Sequence, residues 1–517
     1  MSDLLAISGG IGPVAISIVV VYLLVTTLFG VFLGRGQTDS RDYFLDSNRL
    51  PTWSLLVSIV ATETSTVTFL SVPGLAYMEN GNFTFLQIAI GYIVGRFAVI
   101  AFLLPGYFRG DMLSAYQVLE RRFGVTTRRL ASLVFLVTRN IADGLRLFLT
   151  ALALNIALGL DMLTCILVTS IATAIYSCVG GVRSVVWNDC IQFAVYMLGA
   201  FAAAYLLLTQ LPGGWDQLAA FGRSTERWQL FDFDPIGRFT FEQTWGEWWN
   251  VIYASLTKPS MTFWAGCIGG AFLSLATHGV DQLIVQRYLC AKSKSAASWA
   301  LGLSGFVVLA QFAIFLFIGV ELACFNSTTG GLGQNVAGDE AFMTYVVNHM
   351  NSGMKGLILA AILAAAMSTL ASSFNSSASS LMSDWLTRLL PPLDDRKSLN
   401  LARALTIGFA LVQSVVAIVA YKMAIEDSIV NAVLRIAGFA IGLLLGLYGL
   451  GLIWPRTTEP VALAAFGVGA AVTIGVAFGT SINGFWYTLV GSSTIVIVGI
   501  VLSLIVDLPT QTRHVIK

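Results

Sequence analysis

The stretch ATETSTVT, residues 61–68, is a polar run in the middle of an apolar segment that covers about residues 52–77. A carboxylate at the centre of a membrane costs about 2.5–3.5 kcal/mol on insertion scales, so Glu63 should face protein or water rather than lipid. Serine and threonine hydroxyls can satisfy backbone groups that become free where a membrane helix unwinds. The stretch therefore predicts a membrane helix that is interrupted near its middle, with carbonyl oxygens facing a cavity.

The composition around this stretch excludes a soluble globular protein. Of the 517 residues, 56% are hydrophobic and only 11% are charged, whereas a soluble domain has about 25% charged residues. A membrane-spanning helix needs about 20 apolar residues, so the chain can hold about a dozen. The net charge of +1 and the absence of a Gly/Lys phosphate loop argue against nucleic-acid binding, and nothing indicates an obligate protein partner.

The hydropathy pattern predicts an all-α integral membrane protein with thirteen transmembrane helices. With the N-terminus outside, nineteen basic residues fall on the inner side and six on the outer side. The excess of positive charge inside predicts a multi-pass protein of the cell (plasma) membrane with a cytoplasmic C-terminus. The predicted spans cover about residues 12–34, 52–77, 83–107, 127–158, 161–179, 184–209, 259–284, 297–324, 354–387, 399–422, 428–453, 458–479 and 486–506.

The two long outer connections, 210–258 and 325–353, have distinct patterns. The first contains an aromatic stretch at 245–253 that is typical of an interfacial helix, and the second begins as a Gly/Asn/Ser/Thr-rich loop and continues into a short polar helix. Both patterns fit extracellular lids, and both also fit simple packing at the membrane surface.

The ninth span carries hydroxyl side chains in two rows with a spacing of four residues. Neutral hydroxyls and carbonyls are suitable ligands for a monovalent cation that must be released again. Small residues also let membrane helices pack closely, so the same pattern fits helix packing alone. The rows are formed by Ser368, Ser372 and Ser376 and by Thr369, Ser373 and Ser377.

Other charged residues also lie within the predicted spans. Arg139, Asp143 and Arg146 are helical neighbours, which is the spacing of an internal ion-pair network. Asp189 lies near the cytoplasmic end of the sixth span, and His278 alone is more typical of a buried core histidine. Because these groups form no metal-binding spacing and no nucleophile–base pair, the sequence does not indicate an enzyme.

Five motifs, in this order, resemble the sodium:solute symporter family, including its bacterial sodium/sialic acid and sodium/galactose members. The resemblance extends over nearly the whole chain. The motifs are DYFL at 42–45, SAYQVLERRF at 114–123, GG at 180–181 with VVWNDCIQ at 185–192, VQRY at 285–288 and AAILAAAMSTL at 360–370.

The resemblance implies a LeuT-like fold of two inverted five-helix repeats, each beginning with a broken helix, and sodium and substrate between them. The repeats would be residues 52–209 and 259–453, joined by the extracellular connection 210–258. An extra helix and the first inner loop would occupy residues 1–51, and two C-terminal helices with a short cytoplasmic tail would occupy residues 454–517.

The resemblance also implies how sodium is bound. The first site would use the backbone carbonyls of Ala61, Thr64 and Ala365 together with the hydroxyls of Ser368 and Thr369. A second sodium site, known in the sialic acid branch, would use Asp189, Ser368 and Ser372. The remaining ligand position of that second site is Ala371, so the number of sodium ions per cycle is left open.

The substrate pocket is expected near the first helix break. In the sialic acid branch, a glutamine and a carboxylate-binding arginine line the pocket, but these positions are Ala89 and Ala142 here. Glu63 stands where relatives have a neutral polar residue, which predicts hydrogen bonds to sugar hydroxyls or a charge pair with an arginine. The candidate pocket residues are Glu63, Ser65, Thr68, Phe85, Gln87 and Arg146.

These features together predict a sodium-coupled symporter that imports a small polar solute, a sugar or a sugar acid, by alternating access. A proton-coupled carrier that uses Glu63 or Asp189 is an alternative, as is a sodium-coupled carrier for a monocarboxylate or an amino acid. Two further alternatives are an ion channel and a transport-derived sensor that binds solute without moving it.

Overall fold

The computed structural model describes residues 12–34, 36–46, 50–110, 112–234, 245–258, 261–333, 336–423 and 427–511. In these ranges the chain is helical, apart from loops and one isolated β-bridge between Leu50 and Ala291. The helices are α1 Pro13–Leu33, α2 Ser40–Leu45, α3 Thr52–Glu63, α4 Thr66–Tyr77, α5 Leu86–Ala98, α6 Leu104–Tyr107, α7 Gln117–Arg122, α8 Val125–Leu158, α9 Met162–Gln210, α10 Gly214–Ser224, α11 Trp245–Thr257, α12 Gly270–Gly279, α13 Gln282–Leu289, α14 Lys294–Thr329, α15 Gly338–His349, α16 Ser352–Leu381, α17 Thr387–Leu389, α18 Asp395–Lys422, α19 Asp427–Ile453, α20 Glu459–Gly479 and α21 Tyr487–Gln511.

The helices confirm the predicted all-α membrane protein. In the described ranges, nine helical segments are long and apolar enough to cross a membrane, and two bent helix pairs raise the number to eleven. A shorter apolar segment, Gly438–Ile453, is the described apolar part of the span predicted at 428–453. The helices α11 and α15 lie where the sequence predicted an aromatic interfacial helix and a short polar helix.

The long helix α9 is divided by a kink at Gly181, between the spans predicted at 161–179 and 184–209. Gly181 has φ +54° and ψ −154°, a conformation that side chains with a Cβ rarely adopt. A Cβ at this position would lie 2.3 Å from the carbonyl oxygen of Tyr43. The kink therefore requires glycine both for its backbone conformation and for its close contact with α2.

The first bent pair, α3 and α4, confirms the interruption predicted from residues 61–68. The two helices meet at an angle of 66°. Thr64 leaves the helical conformation, with φ −85° and ψ 103°, and the Ser65 side chain caps α4 by accepting a hydrogen bond from the backbone N–H of Thr68. The polar residues of this stretch thus end one helix and begin the next.

The second bent pair, α12 and α13, forms an angle of 59°. Asp281 begins α13, because its Oδ1 accepts a hydrogen bond of 2.9 Å from the backbone N–H of Leu283. Both breaks therefore use a short polar side chain to satisfy backbone groups in the membrane interior.

Among the unbroken helical segments in the described ranges that are long enough to cross a membrane, the one that contains α16 is the most buried, and α16 packs against α1, α3, α8 and α9. In its span, 94% of the residues in the most apolar stretch are buried. Small residues permit this packing: a Cβ added to Gly199 of α9 would lie 2.9 Å from the Cβ of Ala361. Helix α16 thereby reaches the end of α3, where the first helix break lies.

Candidate ion and substrate sites

The hydroxyl of Ser368 on α16 contacts the end of α3. Its Oγ lies 2.9 Å from the carbonyl oxygen of Ala61 and 3.1 Å from that of Ala365. Ser368 is fully buried, so these oxygens are shielded from bulk water. Oxygen atoms from two segments that are far apart in sequence therefore converge at the first helix break.

The neighbouring hydroxyl extends this oxygen cluster. Thr369 Oγ1 lies 3.2 Å from the carbonyl oxygen of Thr62 and 3.4 Å from that of Ala365. In this structure, each of these two hydroxyls donates its hydrogen to a carbonyl oxygen. A sodium ion among these atoms would take the place of the donated hydrogens and face neutral oxygens only, which suits an ion that must leave again. These oxygen ligands therefore fit a weakly held monovalent cation.

Thr64, whose carbonyl was predicted to bind sodium, lies at the break itself. Its hydroxyl donates to the carbonyl oxygen of Val60 over 3.0 Å and accepts a hydrogen bond of 2.7 Å from Gln311 Nε2. The Gln311 side chain is held in turn by Tyr196, whose hydroxyl lies 3.3 Å from Gln311 Oε1. Sequence reasoning missed Gln311, and an isolated buried glutamine in α14 gave no signal that it supports the break.

Glu63 pairs with an arginine, which is one of the two roles predicted for it. The partner is Arg96 of α5, whose Nη2 donates to Glu63 Oε2. Arg96 is fully buried, and its Nε donates to Ser304 Oγ over 3.1 Å. His278, close to the second break, places its Nε2 3.5 Å from the same carboxylate oxygen. Glu63 therefore connects the two helix breaks. The sequence did not predict Arg96 or His278 as its partners.

Three predicted pocket residues lie around the beginning of α4 and α5. Ser65 Oγ is 3.3 Å from Thr68 Oγ1, and Thr68 is only half-buried. The ring of Phe85 lies 5.5 Å from the ring of Phe312, measured between centroids. The structure thus places Ser65 and Thr68 next to Glu63 at the break and Phe85 in an aromatic contact with α14.

Gln87, also predicted to line the pocket, is fully buried and bonded to backbone atoms. Its Nε2 donates to the carbonyl oxygens of Thr84 and Met261 over 2.9 and 3.0 Å, and its Oε1 accepts from the backbone N–H of Asp232 over 3.0 Å. This arrangement favours a role in fixing the connection around Asp232 to α5, and contact of Gln87 with substrate stays a prediction.

Arg146 belongs to the ion-pair network that the sequence spacing indicated. Its Nη1 donates to Asp143 Oδ1, and Arg139 Nε lies 2.9 Å from Asp143 Oδ2. Arg139 also reaches the second break, with its Nη1 3.6 Å from Asp281 Oδ2. Arg146 has an exposed side-chain fraction of 29%, the highest in this group, so it is the member that a solute could reach.

Asp189 and Ser372, the predicted ligands of a second sodium ion, both lie beside one arginine. Arg287 Nη2 donates to Ser372 Oγ and lies 3.6 Å from Asp189 Oδ2. Ser58 donates to the same Asp189 oxygen over 2.5 Å, and Thr62 Oγ1 lies 3.4 Å from it. These five residues, which we call the Asp189 cluster, are all buried.

The structure contains two interrupted helices that contact each other at their breaks, together with a buried set of hydroxyl and carbonyl oxygens. These features define an ion-coupled membrane carrier. The chain belongs to the sodium:solute symporter family, whose sequence profile matches residues 43–469. It is therefore a sodium-coupled membrane transporter, as the motifs predicted.

Three similar proteins show how far the likeness extends. The sodium/sialic acid symporter SiaT of Proteus mirabilis (strain HI4320) is 28% identical over 92% of both chains. The sodium-coupled monocarboxylate transporter 2 of Danio rerio is 27% identical over 89% of this chain and 71% of its own. The solved structure of a Na+-coupled sialic acid symporter, substrate-bound and outward-open, superposes with a TM-score of 0.83 at 26% identity, covering 96% of this chain and 98% of that one.

Proposed function

We propose that this protein couples the inward movement of sodium to the import of a sugar acid, with sodium bound by Ala61, Thr64, Ala365, Ser368 and Thr369. The observation that carries the ion site is the 2.9 Å contact between Ser368 Oγ and the Ala61 carbonyl oxygen. Sodium arriving from outside links α16 to the broken helix and stabilises the outward-open form. Substrate then binds at the break, the outer path closes, and sodium leaves into the sodium-poor cytoplasm.

The energy of sodium is sufficient for accumulation. A tenfold sodium gradient supplies about 1.4 kcal/mol, and a membrane potential of about 100 mV adds roughly 2.3 kcal/mol per charge. One sodium ion can therefore support roughly a few-hundred-fold accumulation of a neutral solute, and about tenfold accumulation of a singly charged acid, because the charge of the acid cancels the contribution of the potential.

The polar groups at the first break offer hydrogen bonds to a polar substrate. Glu63 neutralises Arg96, and Arg96 Nη1 is buried without a hydrogen-bond partner among the described residues. A buried guanidinium donor that lacks a partner favours a ligand oxygen beside it. Ser65 and Thr68 add hydroxyl groups suited to a sugar, and the likeness to sodium/sialic acid symporters supports a sugar acid as the substrate class.

A monocarboxylate is the second candidate substrate. The likeness to a sodium-coupled monocarboxylate transporter favours it, and the unpartnered Arg96 donor would suit either acid. A competition experiment separates the two candidates. Unlabelled sugar acids and short monocarboxylates are tested against uptake of a labelled sugar acid, and only the preferred class should compete at low concentration.

We further propose the finer layout as the sequence predicts it: thirteen spans, inverted repeats at residues 52–209 and 259–453, an outer N-terminus and a cytoplasmic C-terminus. A bent helix pair near the beginning of each proposed repeat, at 66° and 59°, supports this layout. The kink at Gly181, which separates two spans within α9, supports the proposed count.

The ion site is tested by replacing both hydroxyls, in a Ser368→Ala, Thr369→Ala variant. We expect sodium-dependent uptake into proteoliposomes to fall to background, because only backbone carbonyls would remain as ligands. The matched control is Ser376→Ala, since that hydroxyl is also buried on α16 but, among the residues that the structure describes, donates its hydrogen bond to the carbonyl oxygen of Ser373 in its own helix. The control should keep its uptake.

Normal sodium dependence in the double variant would show that the ion binds elsewhere. Uptake that ignores sodium and follows the proton gradient would support the proton-coupled alternative. Counterflow of labelled substrate separates a carrier from a channel, because only a carrier exchanges substrate against its gradient.

A further inference from the structure

A chain of hydrogen bonds runs from α9 through α14 to the first helix break. The Tyr196 hydroxyl donates to Gln311 Oε1 over 3.3 Å, and Gln311 Nε2 donates to Thr64 Oγ1 over 2.7 Å. The Thr64 hydroxyl in turn donates to the carbonyl oxygen of Val60 over 3.0 Å. Tyr196, Gln311 and Thr64 are all buried, so these bonds are shielded from bulk water.

The direction of these bonds determines what Thr64 can offer to an ion. Its hydroxyl hydrogen is donated to the Val60 carbonyl, and its hydroxyl oxygen accepts from Gln311. The backbone N–H of Thr64 also donates to the Val60 carbonyl oxygen, over 3.1 Å. The carbonyl oxygen of Thr64 is therefore the atom of this residue that is best suited to bind a cation.

The orientation of that carbonyl depends on the Thr64 side chain. Thr64 has φ −85° and ψ 103° and lies just beyond α3, where the regular hydrogen bonds of a helix end. A β-branched side chain has few allowed rotamers, so a hydroxyl that is bonded on both sides also restrains the backbone of its own residue. Gln311 supplies this restraint from another helix, α14.

Aromatic contacts hold Tyr196 and α14 in place beside the break. The ring of Tyr196 lies edge-on to the rings of Phe69 of α4 and Phe193 of α9, with centroid distances of 6.5 and 5.4 Å. The ring of Phe69 also lies 5.4 Å from that of Phe315, one turn beyond Gln311 on α14. Packed rings from three helices therefore fix the position from which the Gln311 amide reaches Thr64.

We propose that Gln311 is a positioning residue for sodium, which acts through the Thr64 hydroxyl to keep the Thr64 carbonyl oxygen directed at the ion. This inference rests on the proposed function, because it takes the Thr64 carbonyl as a sodium ligand. Without Gln311 the Thr64 side chain is held from one side only, and the ion keeps a less well-ordered ligand. Gln311 thereby sets the affinity for sodium from outside the set of ligands.

Gln311→Leu tests this role, because it removes the amide and keeps most of the side-chain volume. We expect the sodium concentration for half-maximal uptake to rise roughly tenfold, as for the loss of one buried hydrogen-bond partner. The maximal rate and the substrate KM at saturating sodium should stay close to those of wild type, because the ligands themselves remain. An unchanged sodium dependence in the folded variant would overturn the inference.

The matched control is Gln413→Leu. Gln413 is also fully buried, and its Nε2 donates to Asn140 Oδ1 and Ser373 Oγ, both over 2.8 Å. Neither partner is a proposed sodium ligand, so this variant should keep the sodium affinity of wild type even if its thermal stability falls. An equal shift in both variants would show that Gln311 has only a structural role and would overturn the inference.

A second experiment shows whether Gln311 acts through the Thr64 hydroxyl. Thr64→Val removes this hydroxyl but keeps the shape of the side chain, so it should raise the half-maximal sodium concentration by a similar factor. Thr64→Ser keeps the hydroxyl and should show a smaller shift than Thr64→Val. Adding Gln311→Leu to Thr64→Val should cause no further shift, because the bond between the two residues is already lost. A full additional shift in the double variant would contradict action through Thr64.

These outcomes separate the inference from the proposed ion site. If the Ser368→Ala, Thr369→Ala variant loses sodium-dependent uptake and Gln311→Leu keeps the sodium affinity of wild type, the inference is wrong and the ion site stands. If the double-hydroxyl variant keeps a normal sodium dependence, the proposed ion site is wrong and the inference falls with it.

Discussion

At the scale of single residues, the two members of the Glu63–Arg96 ion pair differ in burial, and this difference makes the stability contributed by the pair testable. The Arg96 side chain is fully buried, whereas 18% of the Glu63 side chain is exposed. Removing one partner of a buried ion pair costs about 3–5 kcal/mol, because the other charge is left uncompensated. The loss of stability should be larger when the more deeply buried charge is the one that remains unpaired.

Glu63→Gln should therefore lower the thermal stability of the carrier more than Arg96→Gln does. The Arg96→Gln variant leaves Glu63 with partial access to water and with His278 nearby. The double variant should recover part of the loss, because no unpaired charge remains. Thermal unfolding of the three variants in the same detergent measures this coupling, and simple addition of the two single effects would show that the pair is not coupled.

The sequence predicted the hydroxyl rows of the ninth span, because spacing along a helix defines its faces. The choice of Ser368 and Thr369 as sodium ligands came from the resemblance to the family and stays a prediction. The sequence also predicted an arginine partner for Glu63. That the partner is Arg96, and not Arg139 or Arg146, depends on which helices face each other, and hydropathy contains no such information.

At the scale of helices, the two breaks differ in how clearly the sequence encodes them. The first break lies within a run of hydroxyl residues and was predicted from the residues themselves. The second depends on the single capping side chain of Asp281, and it was implied only by the resemblance to the family. One polar cap is common in any helical protein, so this local signal is too weak to predict a break.

The kink in α9 gives a prediction for Gly181→Ala. An alanine would adopt a backbone conformation that costs about 1–3 kcal/mol, and its Cβ would also clash with the Tyr43 carbonyl. We expect a lower thermal stability and reduced yield of folded protein, measured by size-exclusion chromatography after mild heating.

The matched control for this prediction is Gly408→Ala in α18. A Cβ at Gly408 meets no atom within 4 Å, and alanine is favoured over glycine within a helix by about 1 kcal/mol. This substitution should leave stability unchanged or raise it slightly. Equal losses at both positions would show that the kink does not depend on the glycine.

At the scale of the whole molecule, the number of sodium ions determines how transport responds to voltage. If one sodium ion accompanies one singly charged sugar acid, the cycle moves no net charge. A second sodium ion would add roughly 2.3 kcal/mol of driving force per 100 mV. If the Ser368 and Thr369 site carries the single transported sodium ion, we expect the initial uptake of a sugar acid to be unaffected by an imposed potassium diffusion potential in proteoliposomes. Strong stimulation by an inside-negative potential would indicate at least one more cation per cycle.

Much of the overall fold could be predicted because hydropathy determines which segments enter the membrane. The interruption near Glu63 and the division of α9 agree with the helices of the structure, whereas the count of thirteen spans stays a prediction. The central position of α16 was harder to predict from the sequence, since its many serines and alanines fit both an ion site and simple packing. The Asp189 cluster, assembled from four helices, could not be predicted, because only the folded chain brings Arg287 to Asp189.

If sodium binds between α16 and α3, as we propose, the close packing of these helices should also determine which alkali metals the carrier accepts. Ala360 to Ala366 are all buried, and the Ser368 hydroxyl already touches the Ala61 carbonyl oxygen, so the oxygens have little room to spread. Lithium, with its smaller ionic radius, should replace sodium with weaker uptake, whereas potassium would have to push two packed backbones apart and should be inactive at equal concentration. Selection by ionic size would let the carrier release sodium into a potassium-rich cytoplasm without rebinding the more abundant ion.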